Sequence, residues 1–187
     1  MRRFLPWSSR GKLPAARIAG LLGDALALAV LAFALWKFLA APRSFVNAAA
    51  AQPAPHARFD RLDGGTLRVA SLRGRLAFLD FYASWCTPCR IELPLVKRWA
   101  AAHPAVAVVY IDVAEPPAVA AAFARRYGLG DVSLDPRGDA RGIFSIEGFP
   151  TIVVVDPQGR IRAKWEGLNP AISLAMSNAR TRLGHAR

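Results

Sequence analysis

The chain has 187 residues, 53% of them hydrophobic, enough for one ordinary domain with an extension and too few for several. Its formal net charge is +12, from 25 Lys+Arg against 13 Asp+Glu, but residues 1–45 alone hold seven basic side chains against the single acid Asp24. The other arginines are scattered, with only Lys97-Arg98 and Arg125-Arg126 adjacent, and without a basic block interleaved with aromatics the composition argues against a nucleic-acid surface.

Residues 1–17 read as a basic head that stays in the cytoplasm. Residues 18–41 read as a transmembrane anchor or signal segment, since Ile18 to Ala41 carries only Asp24 and Lys37 as charges and a spanning helix needs about 20 mostly apolar residues. Lys37 can snorkel, and Trp36 stands where an interfacial aromatic would. A cut after Ala41 would put Pro42 beside the scissile bond, whereas Ala48 to Ala51 offer the small residues a signal peptidase needs; the long basic head favours the uncleaved anchor. With positive charge ahead of the segment, everything after residue 41 is delivered across the membrane. The expected location is therefore the inner membrane, single pass, with the domain in the periplasm. Residues 42–57, small and proline-containing, read as a linker.

Residues 58–187 read as a single α/β domain. Phe59 to Val69 brackets a Gly64-Gly65 turn and predicts a hairpin. Leu76 to Ala83 is a near-continuous apolar run, the pattern of a central strand buried on both faces. Pro88 opens a helix through Glu92, Leu95, Val96 and Trp99. Val106 to Ile111 is a second buried strand. A helix follows from Pro117 to Tyr127 and stops at Gly128. Val132 to Leu134 is a short strand, Thr151 to Val155 and Ile161 to Trp165 form a second hairpin, and Pro170 to Leu183 is the closing helix. This order predicts a mixed sheet with helices on both faces.

Cys86 and Cys89 are the only cysteines, and they fall where the central strand gives way to a helix. A thiolate attacks a disulfide and a thiol does not. Cys86, at the helix start, meets unpaired N–H groups and the positive end of the helix dipole, which lower its pKa below that of free cysteine. Cys86 is therefore assigned as the exposed, attacking thiol and Cys89 as the buried, resolving one. Pro88 stiffens the loop between them. Thr87-Pro88 lacks a histidine, so one stabiliser of the thiolate is missing, which tilts the pair toward reduction. A zinc site would need a second ligand pair, and His56, His103 and His185 are scattered. An inert disulfide in so short a loop would stabilise little.

Two acids accompany the cysteines. Asp80 interrupts the central strand, where a carboxyl is costly without a task or a partner. It is a candidate acceptor for the Cys89 proton; the alternative is an ion pair with an arginine or lysine. Glu92, one helical turn past Cys89, could tune the same thiol or be an ordinary solvated acid. Phe149-Pro150 precedes a strand, where a proline can stand only at the start; Phe149 could offer its backbone to an extended substrate. Arg90 reads as a helix-surface charge. Trp85, Thr87 and Pro88 complete the surface around the thiols.

Asp80 to Cys89 resembles the active-site strand of thioredoxins, and Gly148-Phe149-Pro150-Thr151 resembles their cis-proline loop. Cys89-Arg90-Ile91-Glu92-Leu93-Pro94 is similar to the CRxExP form of membrane-anchored TlpA/ResA-type proteins, and residues 112–140 resemble the extra segment those proteins carry in mid-domain. The resemblance implies a thioredoxin-like fold with an N-terminal transmembrane helix, a cis Pro150, and thiol–disulfide exchange through a redox-active Cys86–Cys89 disulfide without a cofactor or metal. It also implies protein disulfide or dithiol substrates and a membrane thiol–disulfide reductase as electron donor. Targets in that family include apocytochromes c, in cytochrome c biogenesis, and copper-site assembly proteins. The chain departs from the pattern in carrying both Asp80 and Glu92, and in Thr151, where members dedicated to cytochrome c maturation carry Glu. A copper-site assembly factor, which uses CxxxC and a distant histidine, and a disulfide-forming oxidase are the alternatives. A peroxidase would need a differently placed arginine and threonine.

Overall fold

A computed structural model describes residues 24–34 and 51–184. The chain divides into two units, Met1–Pro42 and Arg43–Arg187. In the first, residues 24–34 are helical (α1) with Leu26, Leu28, Val30, Leu31 and Phe33 exposed. Most of the 18–41 segment, the 1–17 head and residues 42–50 lie outside the described residues. Among the described residues no helix is long and apolar enough to cross a membrane.

The second unit is built on one seven-stranded mixed sheet in the order β2-β1-β5-β4-β3-β6-β7. Its strands are β1 Arg58–Arg61, β2 Thr66–Arg68, β3 Ala77–Tyr82, β4 Ala107–Val113, β5 Val132–Asp135, β6 Thr151–Val155 and β7 Ile161–Glu166. β3 pairs parallel with β4 and antiparallel with β6, so the expected central strand is central, with all six residues buried. Both predicted hairpins form. The second is closed by Asp156, whose Oδ1 accepts the N–H of Gln158 at 3.1 Å and of Arg160 at 2.9 Å, and whose Oδ2 lies 3.2 Å from Arg162 Nη1.

Alternation along β3 sends Phe78, Asp80 and Tyr82 to one face and Ala77, Leu79 and Phe81 to the other. The helices are α2 Thr87–Ala101, α3 Pro117–Tyr127, α4 Asp139–Ile143 and α5 Ile172–Leu183. α2 buries Cys89, Glu92, Leu93, Val96 and Trp99, spacings of three and four that make one helical stripe. α5 does the same with Ile172, Met176, Ala179 and Leu183. α3 ends at Gly128, whose φ of 57° is left-handed backbone that glycine adopts at no steric cost.

The helices cover the two faces unequally. α2, α3 and α5 share one core with Phe78, Tyr82 and Ile152. The opposite core is closed by Phe59 and Leu67 of the first hairpin, the 3-10 turn Val69–Leu72, the short α4 and Phe144. In the first of these cores Phe78 joins the layers, with Trp99 edge-on at 5.4 Å and Trp165 at 6.0 Å between ring centroids. Burying such a ring is worth about 1.5–3 kcal/mol.

Residues 51–57 correct the linker reading. Ala51 and Ala57 are buried, Pro53 bridges to Arg160, and the Ala51 carbonyl accepts Arg160 Nε at 3.0 Å. The domain thus begins ahead of β1, because the small residues there fit beside the β6–β7 turn. α4 was not foreseen: five residues with two glycines nearby give no helical periodicity.

Candidate active site

Cys86 is the N-cap of α2, in extended backbone, and Pro88 sits in the first turn. The proline lacks an N–H where none would be bonded. Cys86 and Cys89 form a disulfide with Cα atoms 5.3 Å apart. The Cys89 N–H donates to Cys86 Sγ at 3.2 Å, and the Cys86 N–H donates to the Ala83 carbonyl at 3.1 Å. A helix N-terminus therefore addresses the Cys86 sulfur directly. One expectation changes: Cys86 is not exposed in the disulfide state, being 4% accessible, while Cys89 is fully buried. The disulfide folds the Cys86 sulfur back over the first turn toward its partner.

Trp85 stands beside the disulfide, 61% exposed, with its ring edge-on to Phe149 at 6.0 Å. Thr87 is exposed and Pro88 half-buried. The Phe149–Pro150 bond is cis, as the thioredoxin resemblance implies. Phe149 is half-buried and Pro150 buried. Their loop is held by Thr151 Oγ1, which donates to the Gly148 carbonyl at 2.7 Å, and by the Gly167 N–H, which donates to the Pro150 carbonyl at 2.8 Å. Sequence-distant Phe149 and Pro150 are thus brought beside the Trp85-Cys86 turn, with the Arg141 guanidinium 5.7 Å over the Phe149 ring.

Both acids are inside. Asp80 is 1% and Glu92 2% accessible. Burial first, and the charge of Glu92 second, hold the Asp80 carboxyl well above the usual carboxylate range. Asp80 is in no salt bridge among the described residues, and its Oδ1 has no hydrogen-bond partner. The ion-pair alternative for Asp80 therefore falls. So does the solvated reading of Glu92, whose Oε2 accepts the Asn169 N–H at 2.5 Å.

Two further acids were missed. Asp112, at the end of β4, is buried, and its pKa is raised from 3.8 to about 7 by burial, then by the charge of Glu115 and a hydrogen bond to it. Glu115, just beyond β4, is also buried. An acid inside the apolar run Val109 to Val113 is the same signal that drew attention to Asp80. Arg90 is exposed but is not merely a surface charge: Nε and Nη2 donate to the Ser84 carbonyl at 2.9 and 2.7 Å. A groove of about 280 Å3 opens here, lined by Ser84, Arg90, Val119, Phe123, Arg126 and Tyr127.

A disulfide capping a helix at the end of a central strand, with a cis-proline loop alongside and buried carboxyls behind, defines a thiol–disulfide oxidoreductase on a thioredoxin-like fold. The chain belongs to the AhpC/TSA family, whose model matches residues 50–164. It is 26% identical over 140 residues to the thiol-disulfide oxidoreductase ResA of Geobacillus thermodenitrificans, covering 73% of this chain and 79% of that protein. It is 25% identical over 111 residues to ResA of Bacillus subtilis, covering 58% of this chain and 62% of that protein. Among solved structures it resembles a secreted Mycobacterium tuberculosis disulfide oxidoreductase homologous to E. coli DsbE, with a TM-score of 0.60 and 26% identity over 68% of this chain and 96% of the other.

Proposed function

We propose that the protein reduces disulfides in extracytoplasmic proteins through Cys86 and Cys89, from a membrane-anchored position in the periplasm. The observation that carries this reading is the Cys86 sulfur at the N-cap of α2, accepting the Cys89 N–H. In the dithiol state the same N–H groups and helix dipole would stabilise a Cys86 thiolate. The thiolate attacks a substrate disulfide, forming a mixed disulfide and expelling one substrate thiolate. Cys89 loses its proton to a buried carboxylate, Asp80 or Glu92, and attacks the Cys86 sulfur. The second substrate thiolate leaves, and the two electrons have passed from the Cys86–Cys89 dithiol to the substrate. A membrane thiol–disulfide reductase restores the dithiol by the reverse exchange.

Trp85, Thr87, Pro88, Phe149 and Pro150 form the surface that meets the substrate. Location is supported by the apolar, singly acidic stretch from Ile18 to Ala41 behind a basic head, and by the secreted character of the mycobacterial relative. Direction is supported by the absence of a histidine between the cysteines.

The test is reduction of insulin disulfides by the full chain with dithiothreitol as electron source. Parent protein accelerates the reaction, and Cys86→Ser returns it to the uncatalysed rate. Undiminished turnover by that variant would overturn the catalytic assignment. In cells, Cys89→Ser stalls as a mixed disulfide through Cys86, and mass spectrometry of the adduct identifies the substrate.

A further inference from the structure

Ser84 stands two residues ahead of Cys86, and every polar group it has is held by a side chain from elsewhere in the fold. Glu115 Oε2 accepts its N–H at 2.5 Å, and Glu115 Oε1 accepts its hydroxyl at 2.6 Å. Its carbonyl accepts two hydrogen bonds from the Arg90 guanidinium. Glu115 reaches it across 31 positions of sequence, and the carboxylate is buried, where a charge-assisted bond is strong and its loss costly.

We propose that Glu115 is a positioning residue for the redox centre: by gripping both donors of Ser84 it fixes the Ser84-Trp85-Cys86 turn and so aims the Cys86 sulfur at the N–H groups of α2 and at the incoming disulfide. The proposal rests on the exchange chemistry above and adds a part to it. Asp112 is the back of the same device. Its two oxygens meet no donor of the protein among the described residues, and its contact is with Glu115. Two carboxylates cannot hydrogen-bond without a shared proton. A proton kept on Asp112 lets it donate to Glu115, leaving the Glu115 oxygens as the acceptors Ser84 needs. Tyr82 of β3, buried, is coupled to both members of this pair. Misplacing a reacting group by an ångström can cost about a hundredfold in rate, so a loosened turn is expected to show in the chemistry before it shows in the fold.

Glu115→Ala removes the grip. Glu115→Gln keeps it, because the amide oxygen accepts the Ser84 N–H while the amide N–H donates to the Ser84 hydroxyl. Three readouts on the full chain separate positioning from bulk stability: insulin-disulfide turnover, the alkylation rate of Cys86 by iodoacetamide in the reduced protein, and the thermal midpoint. Glu115→Ala is expected to slow turnover and alkylation together by about tenfold, and Glu115→Gln to restore both to within about twofold of parent. Ser84→Ala, which keeps one of the two donors, is expected to cost about threefold and to add nothing in the Ser84→Ala/Glu115→Ala pair.

Three results overturn the proposal. One is a lowered midpoint with unchanged alkylation and turnover of the folded fraction. Another is equal impairment by Ala and Gln, which would assign the effect to charge. The third is full additivity of the pair. If Glu115→Ala does not fold, Glu115→Gln and Ser84→Ala decide by the same values. A parent chain that exchanges no disulfides sinks the proposed function, while the alkylation series still tests the positioning claim.

Discussion

Asp80 and Glu92 stand close enough, inside a region with almost no solvent, for the charge of Glu92 to raise the Asp80 pKa beyond what burial alone does. The strand acid and the helix acid therefore act as a coupled pair. Asn169 fixes the geometry of one member: its N–H holds Glu92 Oε2 from a position 77 residues away. A carboxyl whose pKa is raised above the usual range is, once ionised, a stronger base than an ordinary carboxylate and holds the proton it accepts more tightly.

Asp80→Asn should slow the second half of the exchange. If Asp80 takes the Cys89 proton, resolution of the mixed disulfide drops by about a hundredfold, the low end of general-base contributions, while attack by Cys86 is unaffected. Acid quenching and mass spectrometry would show the adduct accumulating. Resolution at the parental rate transfers the role to Glu92.

Glu92→Gln keeps an oxygen for the Asn169 N–H and removes the charge that disfavours Asp80 ionisation. The Asp80 pKa should fall. Because a base must be ionised to act, the acid limb of the resolution rate should move to lower pH. A pH–rate profile of the resolving step measures this, and an unmoved limb would disconnect the two carboxyls.

Asp112 makes stability depend on pH in the direction opposite to that of a salt-bridged carboxylate. Its pKa is raised on folding from 3.8 to about 7, so between those values the folded state holds a proton that the unfolded state has released. Its contribution is complete below about pH 4 and is lost as pH rises through about 7, with a slope of up to about 1.4 kcal/mol per unit. Urea unfolding at pH 5, 6, 7 and 8 should give falling stability, and Asp112→Asn should flatten the fall. Asp80, raised in the same direction, leaves a remainder.

Trp85→Ala should separate binding from folding. The ring is 61% exposed and touches Phe149 by an edge, so its loss should cost less than about 1.5 kcal/mol of stability. KM for a protein disulfide should rise several-fold, with turnover of a small disulfide unchanged. Equal losses on both substrates would place Trp85 in the chemistry rather than in substrate contact.

Much of this architecture is local in origin and could be read along the chain. The apolar run ahead of Cys86, the Pro88 start and Gly128 stop of helices, and the two turn-bounded hairpins follow from side-chain periodicity and backbone preference. Cys86 as N-cap is likewise a consequence of a strand, two cysteines and a proline in that order. The packing of residues 51–57 onto the domain was not legible, since Ala51 and Pro53 look like a tether until the β6–β7 turn is in place to bury the one and bridge to the other.

The sequence by itself determined the cysteine pair, the strand and helix that hold it, and the acid buried in that strand, because these depend on neighbours within a turn or two. Tertiary structure alone decided that Glu92 is buried rather than solvated, that Cys86 is covered in the disulfide state, and that Glu115 reaches Ser84. The first and last of those depend on contacts between residues far apart in the chain, Asn169 with Glu92 and Glu115 with Ser84. The physical reason is that desolvation is set by whatever the fold stacks on a residue, and a residue's own flanking sequence does not encode it.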